Sequence, residues 1–255
     1  MDFTYTETQD MIRDTLSRFL ADTYGFETRQ KFIASDTGRD PAIWTALAQD
    51  LGMLGASFAE EHGGLGGGAL ENAIIMEELG KVIAIEPYLP TVVIAGGALK
   101  AVGGAQADAL IPEIIAGNAI VAFVYAEPQG RYDLANLKTS AKKDGVGWVL
   151  NGHKGVVYAA PWATHLLVTV RTGGGQRGHD GVSLFLIDAK LPGIVRRDYS
   201  TVDGNRASEI YFENVAIPSD AFLGQEWDGL PLIEQIVDEA TVAVCAEATG
   251  VMQKL

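Results

Sequence analysis

The apolar residues of this chain change their spacing twice, and that change constrains the fold more than any single motif. From Thr6 to Gly117 they recur three and four residues apart, from Ala119 to about Asp228 they alternate with small or polar residues, and beyond Asp228 the helical spacing returns. A run of strands without helices between them argues against a parallel Rossmann sheet, whose strands need helical crossovers. The pattern predicts an α+β chain in three parts. Residues 1–118 form an N-terminal all-helical domain, 119–227 a middle antiparallel β-barrel, and 228–255 the beginning of a C-terminal helical domain.

Local signals fill in this outline. Thr6 followed by Gln9 predicts a capping box opening a helix over 6–21, with Met11, Ile12, Leu16, Phe19 and Leu20 at helical spacing. Asp40-Pro41 predicts an N-cap and first turn for a second helix carrying Trp44, Leu47, Leu51 and Leu54. Further helices are expected over 69–80, 91–102 and 106–116. In the middle part, Val121, Phe123 and Tyr125 alternate with small residues, and strands are expected over 136–143, 147–151, 153–158, 164–171, 182–188, 194–199 and 208–217. Asp144-Gly145 and Asn151-Gly152 both predict hairpin turns. The Ala-rich helix over 241–255 needs other helices to cover it. The reading favours a chain cut short within a bundle over one completed by another chain.

Charge narrows the partners. The 255 residues carry 33 acids against 19 bases, a net charge of −14, which disfavours nucleic acid and anionic lipid. No basic stretch precedes an apolar run at the N-terminus, and no stretch is long and apolar enough to span a bilayer, so a cytoplasmic protein is expected. The single cysteine, Cys245, reads as a buried apolar thiol. His62, His153, His165 and His179 lack metal-ligand spacing, and no metal site is expected. Gly63 to Gly68 lacks the Gly-Lys-Ser/Thr ending of a P-loop and reads as a structural loop. Arg196, Arg197 and Arg206 read either as an exposed strand's solvated charges or as phosphate contacts.

Six segments in order carry a family resemblance. They are Ala59-Glu60-Glu61-His62-Gly63-Gly64-Leu65-Gly66, Glu77-Glu78-Leu79-Gly80, Ala126-Glu127-Pro128, Leu150-Asn151-Gly152-His153-Lys154, the stretch from Arg206 to Leu223-Gly224, and Asp238 to Gly250. In this order they resemble the acyl-CoA dehydrogenase family, in particular its small-subunit, pimeloyl-CoA dehydrogenase-like branch. The resemblance implies FAD as cofactor, an acyl-CoA substrate and α,β-dehydrogenation. It also implies a homo- or hetero-oligomer of such subunits and an electron-transfer acceptor. By the same resemblance Phe123, Tyr125, Ala126, Tyr132, Val156, Val157 and Tyr158 fall at the cofactor, and Tyr132, Asp238 and Thr241 at the substrate. The family's catalytic carboxylate falls beyond Leu255, so no catalytic residue is identified in this chain.

Several positions depart from the family pattern. Ala126 replaces a threonine, Arg131-Tyr132 replaces a Gly-Ser pair, Tyr158 replaces a smaller Ser or Thr, and Thr241 stands where an Arg is common. Three readings therefore stay open: an active dehydrogenase with a remodelled pocket, a non-catalytic, flavin-poor partner subunit of a heteromeric enzyme, or a flavin-using relative with oxidase or monooxygenase chemistry. Tyr132 and Tyr158 either fill space left by an absent flavin or line a pocket for a bulky acyl group.

Overall fold

A computed structural model describes residues 4–255. Its first part is helical: α1 (Glu7–Thr23), α2 (Phe26–Ala34), α3 (Pro41–Thr45), α4 (Ala69–Lys81), α5 (Gly96–Val102) and α6 (Gly104–Ile115). The capping box at α1 is present in both directions: the Gln9 amide donates to Thr6 Oγ1, and the Thr6 amide donates to Gln9 Oε1. Asp40 caps α3 by accepting the Ala42 amide. Two of the expected helices contain wider π turns, Ala46–Asp50 after α3 and Leu89–Ala95 before α5. Helix α2 had no strong sequence signal, since its amphipathic pattern is weak and its N-cap is Gly25.

Eight strands follow: β1 (Val121–Val124), β2 (Ser140–Asp144), β3 (Gly147–Tyr158), β4 (His165–Arg171), β5 (Val182–Asp188), β6 (Ile194–Ser200), β7 (Arg206–Ile217) and β8 (Phe222–Leu223). They form one sheet in the order β6-β7-β3-β2-β4-β5-β8, with β1 paired to β4. Two details correct the expectation of a closed antiparallel barrel. The sheet is open, because β6 bonds only β7 and the two-residue β8 bonds only β5. It is also mixed, because β1 and β2 both run parallel to β4. Asp144-Gly145 makes the expected hairpin, joining β2 to β3. Asn151-Gly152 does not turn. Strand β3 continues to Tyr158, and Gly152 instead takes up a register shift against β7, lying so close to Thr139 that a Cβ there would collide with it.

Alternation of side chains divides the sheet between two cores. Phe123, Leu167 and Leu184 face the helices and join Leu54, Ile75, Val92 and Ile233. Val124, Leu150, Val168, Phe185 and Ile210 belong to the second core and pack on one another. Arginines bind the helical part to the sheet: Arg206 donates to the carbonyls of Ile33 and Ser35, and Arg29 to those of Ile83 and Asp203. Arg206 is thereby engaged structurally, Arg196 donates to the Ala160 carbonyl, and Arg197 lies over the Tyr211 ring, so the three do not form a phosphate cluster.

Helix α7 (Gly229–Lys254) closes the chain. It packs along one stripe, Ile233, Ile236, Ala240, Ala243 and Gly250, against α4 and the turn before α5. Cys245 lies off that stripe and is exposed, which corrects the expectation of a buried thiol. Among the described residues no helix is long and apolar enough to cross a membrane.

Candidate functional site

The topology opens a gap beside β4. Strand β1 pairs with His165 to Val168 and β2 with Arg171, so the two occupy successive stretches of one side of β4. Residues 125–139 leave the sheet between them. This excursion is held from below by a buried ion pair. Lys154 Nζ lies 2.9 Å from Glu127 Oε1, with both side chains closed to solvent, and also donates to the Tyr125 carbonyl and to Thr169 Oγ1. Glu127 in turn accepts the amides of Lys138 and Thr139 and the Gln129 side chain. Arg171 ties the other end of the excursion to the β4–β5 loop by donating to the carbonyls of Ala135, Gln176, Gly178 and Asp180.

Strand β3 bulges immediately after Lys154. Its pairing with β7 shifts register between Lys154 and Val157, and Val156 sits at φ +53°. A β-branched residue is strained in that region and persists only where its surroundings impose it. Here the Gly155 amide donates to the Ala126 carbonyl, which fixes the bulge against the excursion. The bulge turns Val156 and Tyr158 outward while Val157 stays in the second core. Tyr125 lies beside them, 39 % exposed, with its ring stacked on that of Phe123 at 4.9 Å. Tyr125, Val156 and Tyr158 together form a shelf of partly exposed aromatic and apolar side chains. Burial, and then the charge of Asp203, pushes the Tyr158 hydroxyl above its ordinary range.

A groove runs along this shelf between the sheet and α7. One half, about 460 Å³, is bounded by Phe123, Tyr125, Ile94, Val237, Ala240 and Thr241. The other, about 380 Å³, lies beside Tyr158 and Glu247. Leu89 and Val244 line both, so the two hollows adjoin. Of the residues singled out from sequence, Phe123, Tyr125, Tyr132 and Thr241 line the first half and Tyr158 the second. Val156 is on the shelf, Ala126 is half-buried behind it, and Val157 presents no side chain to it. Asp238 is exposed on α7 and lines neither half. Tyr132 fills no space, being 99 % exposed at the rim. The Thr241 hydroxyl donates to the Val237 carbonyl. Sequence reasoning missed Glu86 and Glu247, both of which line the second half. Two other surface hollows lie beside His165 and Asp188, away from the shelf.

Comparison with known proteins places this geometry. Residues 6–118 match the family described as acyl-CoA dehydrogenase, N-terminal domain, and residues 122–215 match acyl-CoA dehydrogenase, middle domain. Acyl-CoA dehydrogenase FadE29 of Mycobacterium tuberculosis is 34% identical over 194 residues, covering 75% of this chain and 50% of that protein. The long-chain specific mitochondrial acyl-CoA dehydrogenase of Mus musculus is 27% identical, covering 94% of this chain and 58% of that protein. This chain thus spans about half of these relatives' length. The solved ChsE4-ChsE5 complex of Mycobacterium tuberculosis superposes with a TM-score of 0.81 at 27% identity, covering 94% of this chain and 61% of that one. The butyryl-CoA dehydrogenase of Megasphaera elsdenii shares the fold with a TM-score of 0.89 at 24% identity, covering all of this chain and 68% of that one. With two consecutive domains matched along the helical part and the sheet, this chain belongs to the acyl-CoA dehydrogenase family.

Proposed function

We propose that this chain forms part of an FAD-dependent enzyme that oxidises the α,β bond of an acyl-CoA thioester. The observation that carries this reading is the pair of adjoining hollows between the sheet and α7, one lined by Tyr125 and the other by Tyr158. The residues present fit the ring of a flavin, because a planar aromatic system stacks on such a surface. Tyr125, backed by Phe123, and Val156 would hold it. Bound there, FAD supplies the two-electron oxidation that no side chain can perform. The chain's own residues do the rest of the positioning. Leu89, Ile94, Val237 and Ala240 exclude water from the acyl group. Asp238 and Thr241 on α7 stand toward the CoA moiety. The carboxylate that removes the α-proton is assigned to a residue outside Met1–Leu255. The working assembly is a homo- or hetero-oligomer that passes electrons to a separate acceptor.

The visible spectrum of the purified protein tests this reading. A flavin band that bleaches on adding an acyl-CoA is the expected result. Tyr125→Ala should weaken FAD binding about 2- to 10-fold, the size of one aromatic stacking interaction, read by fluorescence titration. Tyr132→Ser should leave it unchanged. A second reading, the flavin-poor partner subunit, is favoured by the bulk of Tyr158 on the shelf. Colourless protein that stays colourless with added FAD would establish it, and Tyr158→Ser would then restore FAD binding.

A further inference from the structure

The hollow beside Tyr125 is walled by aliphatic and aromatic side chains, and among the described residues Arg131 is the only charged one that lines it. Arg131 stands on the 125–139 excursion, within two linked turns. The Gly130 amide donates to the Glu127 carbonyl at 2.9 Å, and the Asp133 amide to the Gly130 carbonyl at 3.0 Å. The buried Lys154–Glu127 pair anchors the first turn. The backbone of Arg131 lies at φ +51°, a region where a side chain is strained and glycine is not. The family pattern has glycine here, so the arginine replaces the residue that the backbone favours. The fold gains nothing visible in exchange. Arg131 is exposed, and among the described residues its guanidinium takes part in no hydrogen bond or ion pair. The adjacent acid, Asp133, accepts the Ala135 amide at 3.1 Å instead.

An unpaired cation in this place has a use. The chain carries a net charge of −14, so an anionic ligand meets a repulsive field and needs a local cation to hold it. The adjoining hollow does not provide one: Asp203 and Glu247 line it, and among the described residues no lysine or arginine does. On the α7 side of the first hollow, Thr241 carries no charge, and its hydroxyl is committed to the Val237 carbonyl.

Resting on the acyl-CoA reading above, we propose that Arg131 binds a phosphate group of the CoA moiety where the hollow beside Tyr125 meets solvent, so that the nucleotide end of the thioester lies at this rim. A guanidinium presents a planar fork of donors that matches two phosphate oxygens, and phosphate supplies the partners that this side chain lacks. A lysine is a point charge and matches the group less well. The strained backbone of Arg131 is then a local cost that ligand binding offsets.

The test is equilibrium binding at low salt, with FAD present, of octanoyl-CoA and of octanoyl-pantetheine, the same thioester without nucleotide or phosphates. Arg131→Gln should weaken octanoyl-CoA binding by about five- to tenfold and leave octanoyl-pantetheine within about twofold of the parent. Arg131→Lys should keep part of the affinity. Added salt should weaken octanoyl-CoA binding more steeply in the parent than in Arg131→Gln. Arg131→Gly should lose the same affinity yet melt close to the parent, because relief of strain offsets the added freedom of the unfolded chain. That variant separates loss of the contact from damage to the fold. Octanoyl-CoA affinity of Arg131→Gln within about twofold of the parent, or an equal loss for both ligands, would overturn the proposal. Binding of octanoyl-CoA by the parent would still leave the acyl-CoA reading standing. Failure of the parent to bind either thioester would overturn both.

Discussion

Replacing Lys154 by Met, or Glu127 by Leu, is expected to lower the thermal midpoint of this chain by roughly 6–20 °C. The estimate combines about 3–5 kcal/mol for stranding one partner of a buried ion pair with about 2–4 °C per kcal/mol for a chain of this size. The pair is closed to solvent on both sides and 2.9 Å long. Each end also satisfies further groups: Lys154 the Tyr125 carbonyl and Thr169, Glu127 the amides of Lys138 and Thr139. Glu127→Leu should therefore be the more damaging change, because it leaves two amides without an acceptor as well as the ammonium without a counter-charge. Glu127→Gln keeps an acceptor for the amides and should recover part of the loss. Burial opposes the ionisation of Glu127, but Lys154 and the donors around it prevail and hold its carboxyl below the ordinary 4.5. A depressed carboxylate stabilises the fold fully above the unfolded-state value and loses that contribution as pH falls through the folded-state one. The midpoint difference between the parent and Glu127→Gln should accordingly be widest near neutrality and shrink below about pH 4.5. A Lys154→Met midpoint within about 2 °C of the parent, less than about 1 kcal/mol here, would show that the pair does not hold the excursion in place.

The reach of sequence reasoning follows from how local each feature is. The α1 capping box, the Asp40 cap and the Asp144-Gly145 hairpin are set by residues within four positions of one another, and all three are as expected. Asn151-Gly152 carried the same turn signal, but what decides there is Thr139, a residue on the neighbouring segment that leaves room only for glycine. Closure of the sheet depends on whether β6 and β8 meet, which no local pattern encodes. Cys245 followed the apolar composition of α7 in the sequence, yet which face of a helix is covered is decided by its neighbours. Tyr125 and Tyr158 could be singled out from sequence because they stand at positions of a recognisable family pattern, and each lines one of the hollows. The acidic residues were not, since Glu86 and Asp203 lie outside every recognised segment and Glu247, although inside Asp238 to Gly250, meets them only in the fold.

Alanine at Gly80 or Gly250 is expected to destabilise the chain, although both positions are helical and alanine is the better helix former. Gly80 on α4 faces the Glu247 backbone, and Gly250 on α7 faces the Glu77 backbone. A Cβ at either site would collide with the opposing carbonyl oxygen. The two contacts are reciprocal across one crossing, which the Gln253–Glu77 hydrogen bond at 3.0 Å also spans. Backbone cannot swing aside as a flexible side chain can, so the methyl group must push the helices apart. Overpacking of this kind costs about 1–3 kcal/mol or more, against a gain of about 1 kcal/mol in helix propensity. Because the atom each Cβ would meet is a backbone oxygen, the cost belongs at the top of that range, and the net expectation is about 2 kcal/mol of destabilisation for each single change. The double change should lose less than the sum, because once the helices have separated at one contact the other is already relieved. Ala248→Gly, on the exposed side of α7, isolates the propensity effect and should cost about 1 kcal/mol. Because Val237, Ala240 and Val244 form the α7 wall of the groove, displacing the helix should also weaken binding of acyl-CoA by the folded variant. A Gly250→Ala protein that melts higher than the parent would mean that propensity prevails and that the crossing has room the contact geometry denies.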